Sequence, residues 1–88
     1  MYVIAVYDVA SERTGKMLKL CRRYLHWIQN SVFEGELSEV GYRELKLAAE
    51  AILIPEEGDS FIVFKNRHRH WLEKEVIGCE RMPTDQFL

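Results

Sequence analysis

Asp8 ends a run of six apolar or aromatic residues, Tyr2 to Tyr7 (YVIAVY), and a basic stretch starts a few residues later. A carboxylate at a strand end, opening into a loop, is where α/β-type folds place site residues. Such a group can serve a hard divalent cation. Mg²⁺ takes oxygen ligands and is held by one or two carboxylates together with waters and substrate phosphates. A twofold dimer would supply a second Asp8, because isologous contacts set equal residues about the axis. The alternative is that Asp8 caps a turn with its side chain, and its position leaves the two open. Other reactive residues form no catalytic pattern. Ser11, Ser31, Ser38 and Ser60 lack a Gly-x-Ser-x-Gly context, and the chain has no phosphate-cradling glycine motif. His68 and His70 would share a face in a strand and could bind metal, but in a basic loop they meet solvent or phosphate. His26 reads as structural. Cys21 and Cys79 are far apart and fit neither a zinc site nor a disulfide framework, so they read as reduced thiols packed as small hydrophobes.

The cations are unevenly placed. Residues 13–23 hold five of the 12 Lys and Arg residues and no acid. Lys65, Arg67 and Arg69, with His68 and His70, form a second basic stretch, whereas residues 34–59 hold eight of the 14 acids. A chain with a net charge of -2 can thus present a basic face to phosphate backbones. Solvated charged faces of this kind are also common without any such partner.

The elements that position these residues follow from periodicity. The unbroken apolar run Tyr2–Tyr7 predicts a strand covered on both faces and central in its sheet. Ser11 is a candidate N-cap for a helix reaching about Leu25. At 100° per residue, Met17, Leu18, Leu20, Cys21, Tyr24 and Leu25 share one side; Arg13, Lys16, Lys19, Arg22 and Arg23 share the other. His26 to Leu37 predicts two short strands, or one kinked strand, with Asn30-Ser31 as a turn or bulge. Ser38 caps a second helix whose apolar side draws on Val40, Leu45, Leu47, Ala48, Ala51 and Ile52. Residues 55–59 form a loop, Ser60–Lys65 a strongly apolar strand, and the region near Val76-Ile77 a short last strand. This order predicts an α+β domain, a ferredoxin-like βαββαβ sandwich with an extra C-terminal strand. Residues 1–79 form its single domain and 80–88 a tail. The fold alone does not name a function.

Composition narrows the class. With 88 residues, 48% hydrophobic and 30% charged, the chain reads as one ordered soluble domain with a thin core, for which a homodimer is a natural supplement. No apolar run approaches the roughly 20 residues that span a bilayer, and the N-terminus lacks the features of a signal peptide. The expected setting is cytoplasmic, without a membrane partner.

Three segments together carry a resemblance: Tyr2-Val3-Ile4-Ala5-Val6-Tyr7-Asp8-Val9, Ile28-Gln29-Asn30-Ser31-Val32-Phe33-Glu34-Gly35 and Glu75-Val76-Ile77-Gly78. In this order and spacing the chain resembles the CRISPR-associated Cas-two family, small partners of the Cas-one integrase. The middle segment is the most specific of the three. The resemblance implies a ferredoxin-like homodimer in which the strand around Val76-Ile77 joins the partner's sheet. It implies a metal-dependent endonuclease acting on RNA or double-stranded DNA, with Asp8 of each protomer sharing Mg²⁺ or Mn²⁺. Tyr7 and Phe33 match family positions linked to the site or its support. It also implies a role in spacer acquisition, in which the dimer bridges the integrase and holds incoming DNA. Two departures are visible. Trp27 stands where some members carry Arg, and Arg13 and Lys16 match the family's basic positions only approximately. On this reading Arg13, Lys16, Lys19, Arg23, Arg67 and Arg69 contact nucleic acid, neutralising backbone charge without reading sequence. The alternatives are a non-catalytic nucleic-acid scaffold, a toxin-type ribonuclease of the same fold, or a ferredoxin-like regulatory module that binds a small ligand.

Overall fold

The computed structural model describes residues 1–68 and 73–79. Its elements are β1 (Tyr2–Asp8), α1 (Ser11–Tyr24), β2 (His26–Gln29), β3 (Val32–Glu36), α2 (Glu39–Ile52) and β4 (Ser60–Asn66), with a 3₁₀ turn at Pro55–Glu57 before β4. The sheet order is β2-β3-β1-β4 and every neighbouring pair is antiparallel. This is the ferredoxin-like arrangement that the element order predicts, with β1 central. The β2–β3 hairpin turns at Asn30, whose φ of 47° is left-handed. Its register shifts between Trp27 and Gln29, a bulge beside the turn.

Strand periodicity divides β1 between two faces. Val3, Ala5 and Tyr7 join Phe33 beneath the helices, where Met17, Leu20, Cys21, Leu45 and Ala49 complete the core. Gly35 lies where the chain passes close to Leu25; a Cβ there would sit 3.1 Å from Leu25 Cδ2, which accounts for glycine in that segment. The other face carries Ile4 and Val6 of β1, Val32 of β3, and Ile62 and Phe64 of β4 by register. It is only partly covered: Ile62 and Phe64 are 52% and 61% exposed. The expectation that β1 is covered on both faces is therefore met on one face within a single chain.

Three further expectations need correction. The N-cap of α1 is Ala10, not Ser11, and it makes no side-chain cap hydrogen bond. The buried side of α2 is built from Leu45 and Ala49 with half-buried Tyr42, Ala48 and Ile52, whereas Val40 and Leu47 are each 61% exposed. An i, i+3, i+7 stripe from Tyr42 faces the core, and Val40, Leu47 and Ala51 form a second stripe toward solvent. Residues 73–79 form no strand in the single chain. They lie over the open face instead, sharing a groove of about 330 Å³ with Ile4, Ile28 and Val32. Lys74 Nζ bridges to Glu34 at 2.6 Å, and the Tyr2 hydroxyl also donates to Glu34. The predicted tail, 80–88, lies outside the described residues. No described helix is long and apolar enough to cross a membrane.

Candidate nucleic-acid and metal site

Asp8 is the last residue of β1, exposed, and opposite Ser60 of β4. Alternation along β1 sets it on the open face with Ile4 and Val6, away from the helices. One chain therefore offers a solvent-facing carboxylate at the rim of a partly covered apolar surface. Among the described residues no group of three or more His, Cys, Asp or Glu side chains could hold a metal.

The loop carrying the chain from Asp8 into α1 is fixed by a residue that the sequence reading assigned only to a loop. Asp59, just before β4, is buried. Its carboxylate accepts hydrogen bonds from Ala10 N at 3.0 Å and Ile54 N at 2.9 Å. It also accepts Nε and Nη2 of Arg13, the latter at 3.1 Å. Arg13 Nη2 reaches Glu57 Oε1 at 2.9 Å as well. Gly58, at φ 90°, supplies the left-handed step that ends the 3₁₀ turn immediately before Asp59. The Arg13 hydrogen bond holds the Asp59 carboxyl well below the usual carboxylate range, against the opposing effect of burial, with Ile54 and Ala10 N–H groups adding to the depression. The same hydrogen bond keeps Arg13 firmly charged. The helical-wheel placement of Arg13 on the solvent face is thus corrected. Its guanidinium turns inward and ties α1 to the loop before β4. A surface cation such as Lys16 could not do this, because a bidentate fork is needed to take Asp59 and Glu57 together.

The remaining predicted residues separate into three places. Lys16, Lys19 and Arg23 are exposed on α1, together with Arg22. Tyr7 and Phe33 lie on the opposite face of the sheet from Asp8. Their rings are 6% and 0% exposed by residue and stack with centroids 6.1 Å apart at 27°. They fix β1 against β3 from within the core and do not line the face that carries Asp8. Burial, with the neighbouring Cys21, pushes the Tyr7 phenol up, and burial pushes the Cys21 thiol up to about 12, so Cys21 stays protonated and unreactive at neutral pH. Arg67 is exposed, but it lines a groove between α2 and β4 that contains none of the α1 cations. His68 is exposed and its backbone N–H donates to Asn66 Oδ1. Arg69 and His70 lie outside the described residues. Trp27 packs against the core edge and donates from Nε1 to Asn30 O at 2.8 Å, holding the hairpin turn.

Comparison with known proteins converges on one family. The model of the family described as CRISPR associated protein Cas2 matches residues 1–74. A "CRISPR-associated endoribonuclease Cas2" from Fusobacterium nucleatum is 48% identical over 93 aligned residues, covering 100% of this chain and 87% of the relative. One of the same name from Dictyoglomus turgidum is 46% identical, with 100% of both chains covered. Among solved structures, one titled "Crystal structure of cas2" superposes with a TM-score of 0.79 at 41% identity, covering 96% of this chain and 93% of that one. The Streptococcus pyogenes Cas2 crystal structure at pH 6.5 gives a TM-score of 0.70 at 26% identity, covering 86% and 100%. With β1, the β2–β3 hairpin and the ferredoxin-like sheet all inside the matched span, the chain belongs to the CRISPR associated protein Cas2 family.

Proposed function

We propose that this chain works as a homodimeric, metal-dependent endonuclease that cuts RNA or double-stranded DNA and serves CRISPR spacer acquisition beside a Cas-one integrase. The observation that carries the reading is the exposed Asp8 carboxylate on the partly covered apolar face, at the end of the central strand. Nuclease chemistry is supported by the relatives' shared name of endoribonuclease. The dimer is supported by two features of one surface. Ile62 and Phe64 are too exposed for a face that stays in water. Among the described residues β4 also ends the sheet order with an unpaired edge, a row of backbone donors and acceptors that a strand from another copy would satisfy. Residues 73–79 are the segment expected to add there.

An exposed carboxylate is a suitable oxygen donor for Mg²⁺ or Mn²⁺, and Asp8 from each of two copies would hold the ion with waters and substrate phosphate. When bound, the ion supplies polarisation of a phosphate oxygen and a more acidic water. The chain's own share is electrostatic and positional. Lys16, Lys19, Arg22 and Arg23 neutralise the backbone from the exposed face of α1. The Arg13–Asp59 link holds the loop that follows Asp8. The Tyr7–Phe33 stack sets β1 against β3.

A cleavage assay on matched RNA and double-stranded DNA tests the proposal, with wild type and Asp8→Ala compared in Mg²⁺, Mn²⁺ and chelator. Metal-dependent cutting by the wild type alone, with unchanged melting of the variant, is the expected result. Loss of folding in Asp8→Ala would make Asp8 a structural residue. A second reading, a non-catalytic scaffold, is favoured by the exposed α1 cations. It predicts salt-sensitive duplex binding that Asp8→Ala leaves intact, with no cutting by either protein.

A further inference from the structure

A second basic surface lies away from Asp8 and from the exposed face of α1. Between α2 and β4 runs a groove of about 450 Å³ lined by four cations, Arg43, Lys46, Lys65 and Arg67, together with Glu39, Tyr42 and Met1. Arg43 and Lys46 are three apart on α2 and rise on one wall. Lys65, in β4, and Arg67, just after its end, line the other wall. All four cations are exposed. Among the described residues none of them pairs with a carboxylate, even though Glu39 lies one helical turn from Arg43. The terminal amine of Met1 is instead taken up by Glu36 and Leu37 O. The half-buried Tyr42 ring lies between the two walls, and Lys65 Nζ sits 4.5 Å from its centroid.

We propose that this groove binds a single-stranded nucleic acid, without sequence preference, through its phosphates and one stacked base. A duplex presents its phosphates on a convex cylinder and suits an exposed helix face such as that of α1. A recess with cations on both walls and an aromatic ring between them suits a flexible single strand, whose backbone enters and whose base faces are free to stack. Lys65 turns from the Tyr42 ring to a phosphate, and the ring face passes to a base. Ribose and deoxyribose strands share this chemistry, so both are accepted. The proposal goes beyond the Asp8 reading and does not depend on cleavage.

The test is fluorescence anisotropy with the full chain carrying Asp8→Ala, in chelator. The probes are oligothymidylate and oligouridylate of about 12 nucleotides, a matched duplex, and phosphatidylserine vesicles. Arg43→Gln with Lys46→Gln should weaken both single strands roughly tenfold and reduce the salt slope by about 1.4, two phosphate contacts at about 0.7 each. Duplex binding should be unchanged. Tyr42→Leu should weaken single-strand binding with no change of slope. Lys65→Gln with Arg67→Gln, on the opposite wall, should reproduce the first result and serves if the α2 pair misfolds. Binding of only one sugar type still supports the groove and names its source. Unchanged single-strand affinity in both wall variants overturns the proposal. Equal losses on duplex and single strand do so too, as does vesicle binding that the wall variants abolish while oligonucleotides fail to bind.

Discussion

Asp59 and Arg13 show how much of a site can hang on one pair that a linear reading does not join. Asp59 has a depressed carboxyl in the folded chain, so the unfolded chain holds that proton more tightly. Its stabilising contribution is therefore complete above the unfolded value of about 3.9 and is lost as pH falls below it toward the folded value. The melting midpoint of the wild type should drop on acidification below about pH 4, whereas Asp59→Asn should start lower and show a shallower drop. Parallel pH–melting curves check this. The core makes a different demand. Phe33 is fully buried against Tyr7, and Phe33→Ala should cost about 3–5 kcal/mol in urea unfolding. Asp8 was legible as a candidate because an abrupt change from apolar residues to a carboxylate is a local signal. The Arg13 contact was not, because the helical wheel sees only its own helix. Arg13 lies on the side that periodicity gives to solvent, and only the return of the chain through Asp59 draws it in.

At the scale of elements, capping and burial part company in α2. Ser38 was legible as its cap, and its side chain accepts from Gly41 N at 3.0 Å. Ser38→Ala should lose about 1 kcal/mol by thermal or urea unfolding, with no change in nucleic-acid binding. Which apolar stripe faces the core was not legible, because α2 carries two, and the choice between Leu45–Ala49 and Val40–Leu47 is made by the sheet beneath. The helix α1 shows the reverse case. Its stripe of Met17, Leu20 and Cys21 is unambiguous, but its cap is Ala10, and Asp59 takes up the Ala10 N–H from outside the helix. Local cap chemistry is a strong signal only where the cap is local. The stretch near Val76-Ile77 has strand-forming residues and forms no strand in one chain. Strand propensity there is a statement about an edge to pair with, and within one chain this stretch lies over the open face instead of along the β2 or β4 edge.

At the scale of the molecule, the apolar open face is the feature a single copy leaves unfinished. Ile62 and Phe64 project from it, and Ile77 is 92% exposed. Phe64→Glu should convert the proposed dimer to monomer in analytical ultracentrifugation, while the ferredoxin-like fold persists by circular dichroism. It should also remove any cleavage that needs two copies of Asp8. The fold class was legible from element order, since a right-handed split of two βαβ units leaves few topologies for this alternation. The same order has a consequence in time. β1 leaves the ribosome well before β4, one of its two partners. Until the stretch from Asp59 to Asn66 emerges, β1 can pair only with β3, and the loop after Asp8 lacks Asp59 to hold it. A nascent or truncated chain therefore leaves β1 half paired and Asp8 beside an untethered loop, so the proposed site is unfinished until β4 is in place. Such long-range closure also slows folding relative to a chain whose neighbours in space are neighbours in sequence.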